Sequence, residues 1–334
     1  MRAKRLRSRT SAVCVTAVVT GTLLSGCRGS SAGAVSQPTS LPASACAGHV
    51  ETGDLAVSIV FGGLSRPIVV HVPSGYTDRT PVALVLNLHG SGSTAPAQEA
   101  FSGMDSTSNA DGFIVAYPQG EISSGSGYDW NVPGEPLFGG GASPANAPND
   151  VAFLADVVQR LEAGLCIDPN RVFSTGFSGG ARMTSQLGCD LPGTIAAIAP
   201  VSGLRLPSPC TGTRAVPVIS FHGTADAIDP YDGNGQAYWT YSVPDAAQRW
   251  AGHDDCATTP EAASPALKVT LTEYTGCQDG ATVELYTITG EGHEWPGGPI
   301  LPAEDTSVLG PQSSAIDADT TTWQFFEAHP LPVS

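Results

Sequence analysis

Basic charge is scarce in this chain. Its 334 residues hold 15 Lys and Arg against 31 Asp and Glu. Five of the basic residues, Arg2, Lys4, Arg5, Arg7 and Arg9, crowd into the first nine positions. The remaining chain has ten basic residues against all 31 acidic ones, a formal charge near −21. Such a surface disfavours nucleic-acid and polyphosphate partners. There is no Cys-x-x-Cys pair and no zinc-spaced cluster of Cys and His, so a metal site is not expected. No apolar run approaches the roughly 20 residues that a membrane-spanning helix needs. Internal repeats are also lacking, which excludes solenoid and propeller architectures.

The N-terminus has the layout of a bacterial export signal. A basic stretch precedes an uncharged run at 11–24, and Leu24-Ser25-Gly26-Cys27 closes it. Those four residues resemble a lipobox. Residues 1–26 are therefore expected to leave as a lipoprotein signal peptide, with Cys27 lipidated as the new N-terminus; the alternative is an ordinary secretory signal and a secreted protein. Acyl chains would tether the protein to the outer face of the cell membrane without spanning it, each buried CH₂ contributing about 0.8 kcal/mol. Residues 28–45 are rich in Ser, Ala, Pro and Gly and read as a flexible tether. One folded domain is expected over 46–334, long enough to bury a sizeable core. Eight cysteines are present. Cys14 leaves with the signal and Cys27 carries lipid, so six remain in an exported domain, an arrangement that suggests three disulfides. Six cysteines allow 15 pairings. Proximity in sequence favours Cys189–Cys210 and Cys256–Cys277, which leaves Cys46–Cys166.

Strand-like and helix-like segments alternate along the domain. Strands are expected at 56–61, 67–72, 82–88, 113–117, 171–175, 195–201, 216–221, 267–273 and 282–289. The central ones are near-continuous apolar runs, as in parallel strands buried on both faces. Val151, Leu154, Val157, Val158 and Leu161 form one apolar stripe of a helix over 151–163, with Asn149-Asp150 as its cap. Further helices are expected at 181–187, 245–250 and 314–328. This alternation implies an α/β fold with a mostly parallel central sheet and helices on both faces. The opening strands are candidates for an antiparallel edge hairpin. The Gly/Pro/Ser-rich stretch 118–148 reads as a long irregular loop, of the kind that shapes active sites.

Gly176-Phe177-Ser178-Gly179-Gly180 sits between the strand-like 171–175 and the helix-like 181–187. A Gly-x-Ser-x-Gly on a strand-turn-helix corner is the nucleophile elbow of the α/β-hydrolase fold. A hydrolytic serine needs a base, an orienter for the base and donors for the developing oxyanion. In this fold the chain order is Ser, acid, His, which leaves His222, His253, His293 and His329 as candidate bases. His293 is preferred because it lies on a glycine-rich loop directly after a strand-like run. For the acid, Asp226 falls in the first turn after the strand-like 216–221, with Asp229 and Asp232 as rivals. Gly179 N–H and Ser91 N–H are the expected oxyanion donors, with Gly90 as the alternative to Ser91. His89 reads as a hydrogen-bonded structural residue. Trp130 and Trp295 are candidates to line the substrate pocket.

Several of these segments together resemble the secreted esterase family of polyhydroxybutyrate depolymerases, feruloyl esterases and acetylxylan esterases. They are His89-Gly90, Trp130-Asn131, Asn149-Asp150, the elbow with Ala181-Arg182-Met183, His222-Gly223-Thr224-Ala225-Asp226 and His293-Glu294-Trp295-Pro296-Gly297. The resemblance implies Ser178, Asp226 and His293 as a catalytic triad. It implies a serine carboxylic ester hydrolase without metal or organic cofactor, acting on polyhydroxybutyrate-type oligoesters or on feruloyl or acetyl esters of plant polysaccharide. It departs from the family pattern at Ser91, where a cysteine is common, and at Glu294. The chain ends soon after its last expected helix, so no substrate-binding domain is expected to follow. A monomer is expected. Two rival readings are a serine peptidase, using the same triad on amides, and an envelope lipoprotein that uses the fold only for binding.

Overall fold

The apolar runs pair into one sheet. β3 (Val82–Leu88), β4 (Ile114–Pro118), β7 (Ile167–Phe177), β8 (Ile198–Val201), β9 (Val218–Gly223) and β12 (Val283–Ile288) run parallel, in the spatial order β4-β3-β7-β8-β9-β12. The computed structural model describes Cys46, residues 50–300 and residues 307–332. The signal expected at 1–26, the lipidation expected at Cys27 and the tether up to residue 45 lie outside the described residues. Among the described residues, no helix is long and apolar enough to cross a membrane.

The central strands are apolar throughout because helices cover both faces of the sheet. Along β3, Leu84, Leu86 and Leu88 join one apolar layer, while Ala83 and Val85 join the other. The first layer packs against α3 (Asp150–Gly164), α4 (Gly179–Asp190) and α5 (Val243–His253). The second packs against α1 (Ala95–Ser102) and α6 (Ala318–Ala328), with α2 (Asp105–Asp111) alongside. In α3 the predicted stripe is buried at Leu154, Val157, Val158 and Leu161. Asn149 caps the helix by accepting the Ala152 N–H at 3.0 Å. Asp150 has a different task, since its carboxylate is buried against Arg66 at 2.6 Å.

Both ends of the sheet are antiparallel. The expected opening hairpin is β1 (Gly53–Phe61) with β2 (Leu64–Val72), and β2 pairs antiparallel with β4. At the other edge β11 (Val269–Tyr274) pairs with β12, and β10 (Glu261–Ala266) with β11. β10 escaped the sequence reading because it is largely exposed and contains Pro265, a residue tolerated on an edge strand. Two helices escaped as well. α2 reads Asp-Ser-Thr-Ser-Asn-Ala-Asp and buries only Ser108, so it has no apolar period to detect. α1 is only eight residues long; it is capped by Thr94 at one end and by left-handed Gly103 at the other.

Two expectations need correction. The stretch 118–148 is not wholly irregular, because β5 (Ile122–Ser124) and β6 (Gly127–Asp129) form a small hairpin. It is pinned to the loop after β3 by Gly92 N–H to Tyr128 O at 3.0 Å and Tyr128 N–H to Ser93 O at 2.9 Å. The last helix begins at Ala318 and not at 314, since Asp317 caps it by accepting the Thr320 N–H. Of the 15 pairings open to the six cysteines, the structure has Cys46–Cys166, Cys189–Cys210 and Cys256–Cys277.

Candidate active site

Three strand ends on one edge of the parallel sheet carry the candidate residues. Ser178 follows β7, Asp226 follows β9, and His293 follows β12. At Ser178 the chain turns directly into α4 with φ 53° and ψ −114°. A side chain rarely adopts this backbone, and such strain collects at functional sites. It is sustained by close packing. A Cβ on Gly176 would lie 2.7 Å from Gly180 backbone atoms, and a Cβ on Gly180 would strike the carbonyl oxygens of Leu88 and His89. Both positions therefore admit only glycine. Ser178 N–H donates to Val201 O at 3.0 Å, which ties the corner to β8.

Asp226 and His293 meet. Nδ1 of His293 lies 2.7 Å from Oδ2 of Asp226, with both side chains buried. Oδ1 of Asp226 accepts the N–H groups of Ile228 at 2.9 Å and Asp229 at 2.8 Å. Burial opposes the charge of Asp226, but hydrogen bonds from His222 and His293 outweigh it and hold the carboxyl well below the usual range. Burial likewise opposes charge on His293. The hydrogen bond to Asp226 and its negative charge prevail, so the His293 pKa is raised. The rival Asp229 is fully buried, neither of its carboxylate oxygens has a hydrogen-bond partner among the described residues, and burial pushes its carboxyl up. Asp232 is exposed. His253 pairs with Asp254 at 2.8 Å, and His329 bonds the Phe325 carbonyl. The residue the sequence reading undervalued is His222. Its Nε2 lies 3.2 Å from Asp226 Oδ2, so the carboxylate carries two imidazoles.

The His-Gly turn after β3 lies against the elbow. A Cβ placed on Gly179 would be 3.1 Å from Ser91 N, so the two proposed donor segments are adjacent; one placed on Gly90 would lie 3.5 Å from Cβ of Ser178. The first N–H groups of α4, Gly179 included, have no helical acceptor. His89 is built into the support of this turn. Its Nδ1 bonds Gly90 O at 2.8 Å, and its Nε2 accepts the Gly120 N–H at 2.9 Å. Burial lowers its pKa to about 4, so it is a neutral scaffold residue. Trp130 donates from Nε1 to His89 O at 2.8 Å and stands beside the His89 ring.

Ser178 and His293 face one cavity of about 560 Å³. Its walls are largely apolar: Ala97, Ala100, Phe101, Phe138, Phe177, Ile228, Val308 and Leu309, with Gly90, Ser91 and Ser93 at the polar end. Neither tryptophan expected in the pocket lines this space. Trp295 is fully buried, edge-on to Phe101, with its N–H on Asp319. Trp130 borders a small adjoining space of about 10 Å³, together with Ser91, Gly179 and Arg182. Phe101 went unseen because α1 did. Phe138 sits in the Gly/Pro-rich stretch, where no periodicity marks a wall residue. As for metal ligands, Asp54, His71 and Asp105 could offer three atoms within 4.8 Å of one another. There His71 is already paired with Asp54 at 2.6 Å, and none of the three borders the cavity.

Comparison with known proteins places the chain among esterases. No protein-family model matches the chain. Feruloyl esterase B of Piromyces equi is 30% identical over 68% of this chain and 42% of its own length, so the chain spans less than half of that relative. NocK of Nocardia uniformis, assigned as an esterase, is 31% identical over 74% of this chain and 76% of its own. Poly(3-hydroxyalkanoate) depolymerase C of Paucimonas lemoignei is 28% identical over 72% of this chain and 61% of its own. The chain belongs to this family of carboxylic ester hydrolases. Among solved structures, an acetyl xylan esterase from Aspergillus awamori superposes with a TM-score of 0.53, at 20% identity, over 76% of this chain and 98% of the other. That likeness carries the α/β-hydrolase fold. In this esterase-family chain the candidate residues Ser178, Asp226 and His293 follow β7, β9 and β12, the chain order Ser, acid, His of the fold.

Proposed function

We propose that this protein is an exported serine carboxylic ester hydrolase with Ser178 as nucleophile, His293 as general base and Asp226 as the acid that orients it. The observation that carries this reading is the buried 2.7 Å contact of His293 Nδ1 with Asp226 Oδ2, with His293 and strained Ser178 facing the same cavity. His293 takes the Ser178 proton as Oγ attacks the ester carbonyl. Asp226 fixes the tautomer and stabilises the imidazolium without taking up the proton itself. The N–H groups of Gly179 and Ser91 receive the oxyanion; losing one such donor typically costs about 10²–10³ in kcat. The alcohol leaves with the proton from His293, and water then releases the acid from the acyl-enzyme.

The apolar walls of the cavity suit an aliphatic or aromatic acyl group. Substrates named by the relatives, feruloyl esters and polyhydroxyalkanoates, fit that description. Three disulfides suit an oxidising, exported location. The signal-like residues 1–27 support anchoring through Cys27. Hydrolysis of short p-nitrophenyl esters by the full chain tests the reading. Ser178→Ala should abolish turnover and labelling by a fluorophosphonate, and equal rates in the two proteins overturn it. Methyl ferulate, acetylated xylan and 3-hydroxybutyrate oligomers, compared on one sample, then assign the acyl group.

A further inference from the structure

We propose that His222 is a positioning residue for the acid of the triad: a neutral imidazole that donates its Nε2–H to Asp226 Oδ2 and to the Asp229 carbonyl. The proposal rests on the esterase reading above and concerns how its acid is held.

His222 closes β9 and is fully buried. Its ring plane is fixed by aromatic neighbours, with Trp239 stacked at 5.7 Å and Tyr231 edge-on at 6.1 Å. Nε2 has two acceptors within reach, Asp229 O at 2.8 Å and Asp226 Oδ2 at 3.2 Å. Nδ1 is buried without a hydrogen-bond partner among the described residues. These surroundings select one tautomer. A proton on Nε2 satisfies both acceptors, whereas a proton on Nδ1 would leave a buried N–H unpaired and set the Nε2 lone pair against two oxygens. Two protons would add an unpaired, charged N–H.

The consequence falls on Asp226. An ionised carboxylate has about four acceptor sites. Here Ile228 N–H and Asp229 N–H fill Oδ1, and His293 and His222 share Oδ2. With all four occupied, the carboxylate cannot rotate away from His293. The second imidazole also draws part of the negative charge off Oδ2. That tempers the hold of Asp226 on the His293 proton, which must be returned to the leaving alcohol within each turnover. The carboxylate of Asp229 lies on the same loop, but its oxygens reach neither ring within hydrogen-bond distance.

His222→Phe keeps the ring between Trp239 and Tyr231 and removes the donor; His222→Gln restores an N–H at about the Nε2 position. On p-nitrophenyl butyrate, the Phe variant should lose roughly tenfold or more in kcat, with KM within about twofold, as for one hydrogen bond to a charged group. The acid limb of its kcat/KM profile should move to higher pH, because Asp226 without its second donor pulls harder on the His293 proton. The Gln variant should recover most of the rate and the original limb. The proposal is overturned by a Phe variant with wild-type kcat and pH profile, or by a Gln variant as impaired as Phe. Nitrogen-15 NMR of the unmutated protein reads the tautomer without relying on any variant to fold. An Nε2–H resonance is expected for His222, and an Nδ1–H resonance overturns the assignment. A Ser178→Ala protein that stays active would instead sink the esterase reading itself, so the two failures are distinct.

Discussion

At the residue scale the chemistry depends on charges held away from water. Asp226 is held ionised in a buried place by the N–H groups of Ile228 and Asp229 and by His293, with Nε2 of His222 at 3.2 Å. His293 pays for its burial through the same contact and ends with a raised pKa. In the proposed mechanism His293 must be neutral to act as base, so kcat/KM should fall as the pH drops through that raised value, placing the acid limb above the ordinary histidine value of about 6.5. Asp226→Asn removes the charge that raises it. The limb should then move to lower pH while kcat falls by about 10² or more. Rate profiles between pH 5 and 9 on p-nitrophenyl butyrate check both signs. A limb that stays in place in Asp226→Asn would separate His293 from this carboxylate.

At the element scale the elbow is a strand and a helix forced together. β7 and α4 meet at Ser178 with no linker, and the glycines at 176 and 180 let the corner pass against β3. Gly180→Ala puts a methyl group on the carbonyl oxygens of Leu88, the last residue of β3, and of His89, the first of the turn that follows. The variant should lose about 1–3 kcal/mol of stability, as overpacked sites do, and most of its turnover, because His89 and Gly90 begin the turn proposed to receive the oxyanion. Urea unfolding and active-site titration measure the two effects. The β5–β6 hairpin is the second support of that turn, through Gly92, Ser93 and Tyr128. Its residues gave no warning of this. Ile-Ser-Ser and Gly-Tyr-Asp are three-residue strands that pair with each other, and the contacts of Tyr128 with Gly92 and Ser93 reach a loop some 35 positions earlier.

At the scale of the whole molecule, one sheet presents three loops at a common edge, and disulfides brace its periphery. Cys46–Cys166 closes a separation of 120 residues, joining the start of the described domain to the segment between α3 and β7. Long loops give the largest entropic stabilisation of the folded state, so replacing both cysteines by serine should cost about 2–5 kcal/mol. The two bridges separated by 21 residues should each cost less when removed the same way. Urea midpoints of the three double variants, under oxidising conditions, give the ranking. Equal losses would show that loop length is not what matters.

Much of this arrangement can be read from the sequence alone. Apolar runs buried on both faces mark the parallel strands, and the order Ser178, Asp226, His293 is written in three short motifs, each at the end of such a run. These signals are local: a glycine spacing, a turn acid and a histidine loop each lie within a few residues of one strand. Other features were decided only in three dimensions. α2 has no apolar period and is placed by its neighbours. Trp295 looked like a pocket wall but is packed beneath Phe101. In sequence His222 is only one of four candidate bases, and Trp239 and Tyr231, which fix its ring, place its Nε2 3.2 Å from Asp226. Sequence determines which groups are available near each strand end. Tertiary packing determines which atoms face one another, because the direction of a buried side chain is set by neighbours that the chain brings from far away.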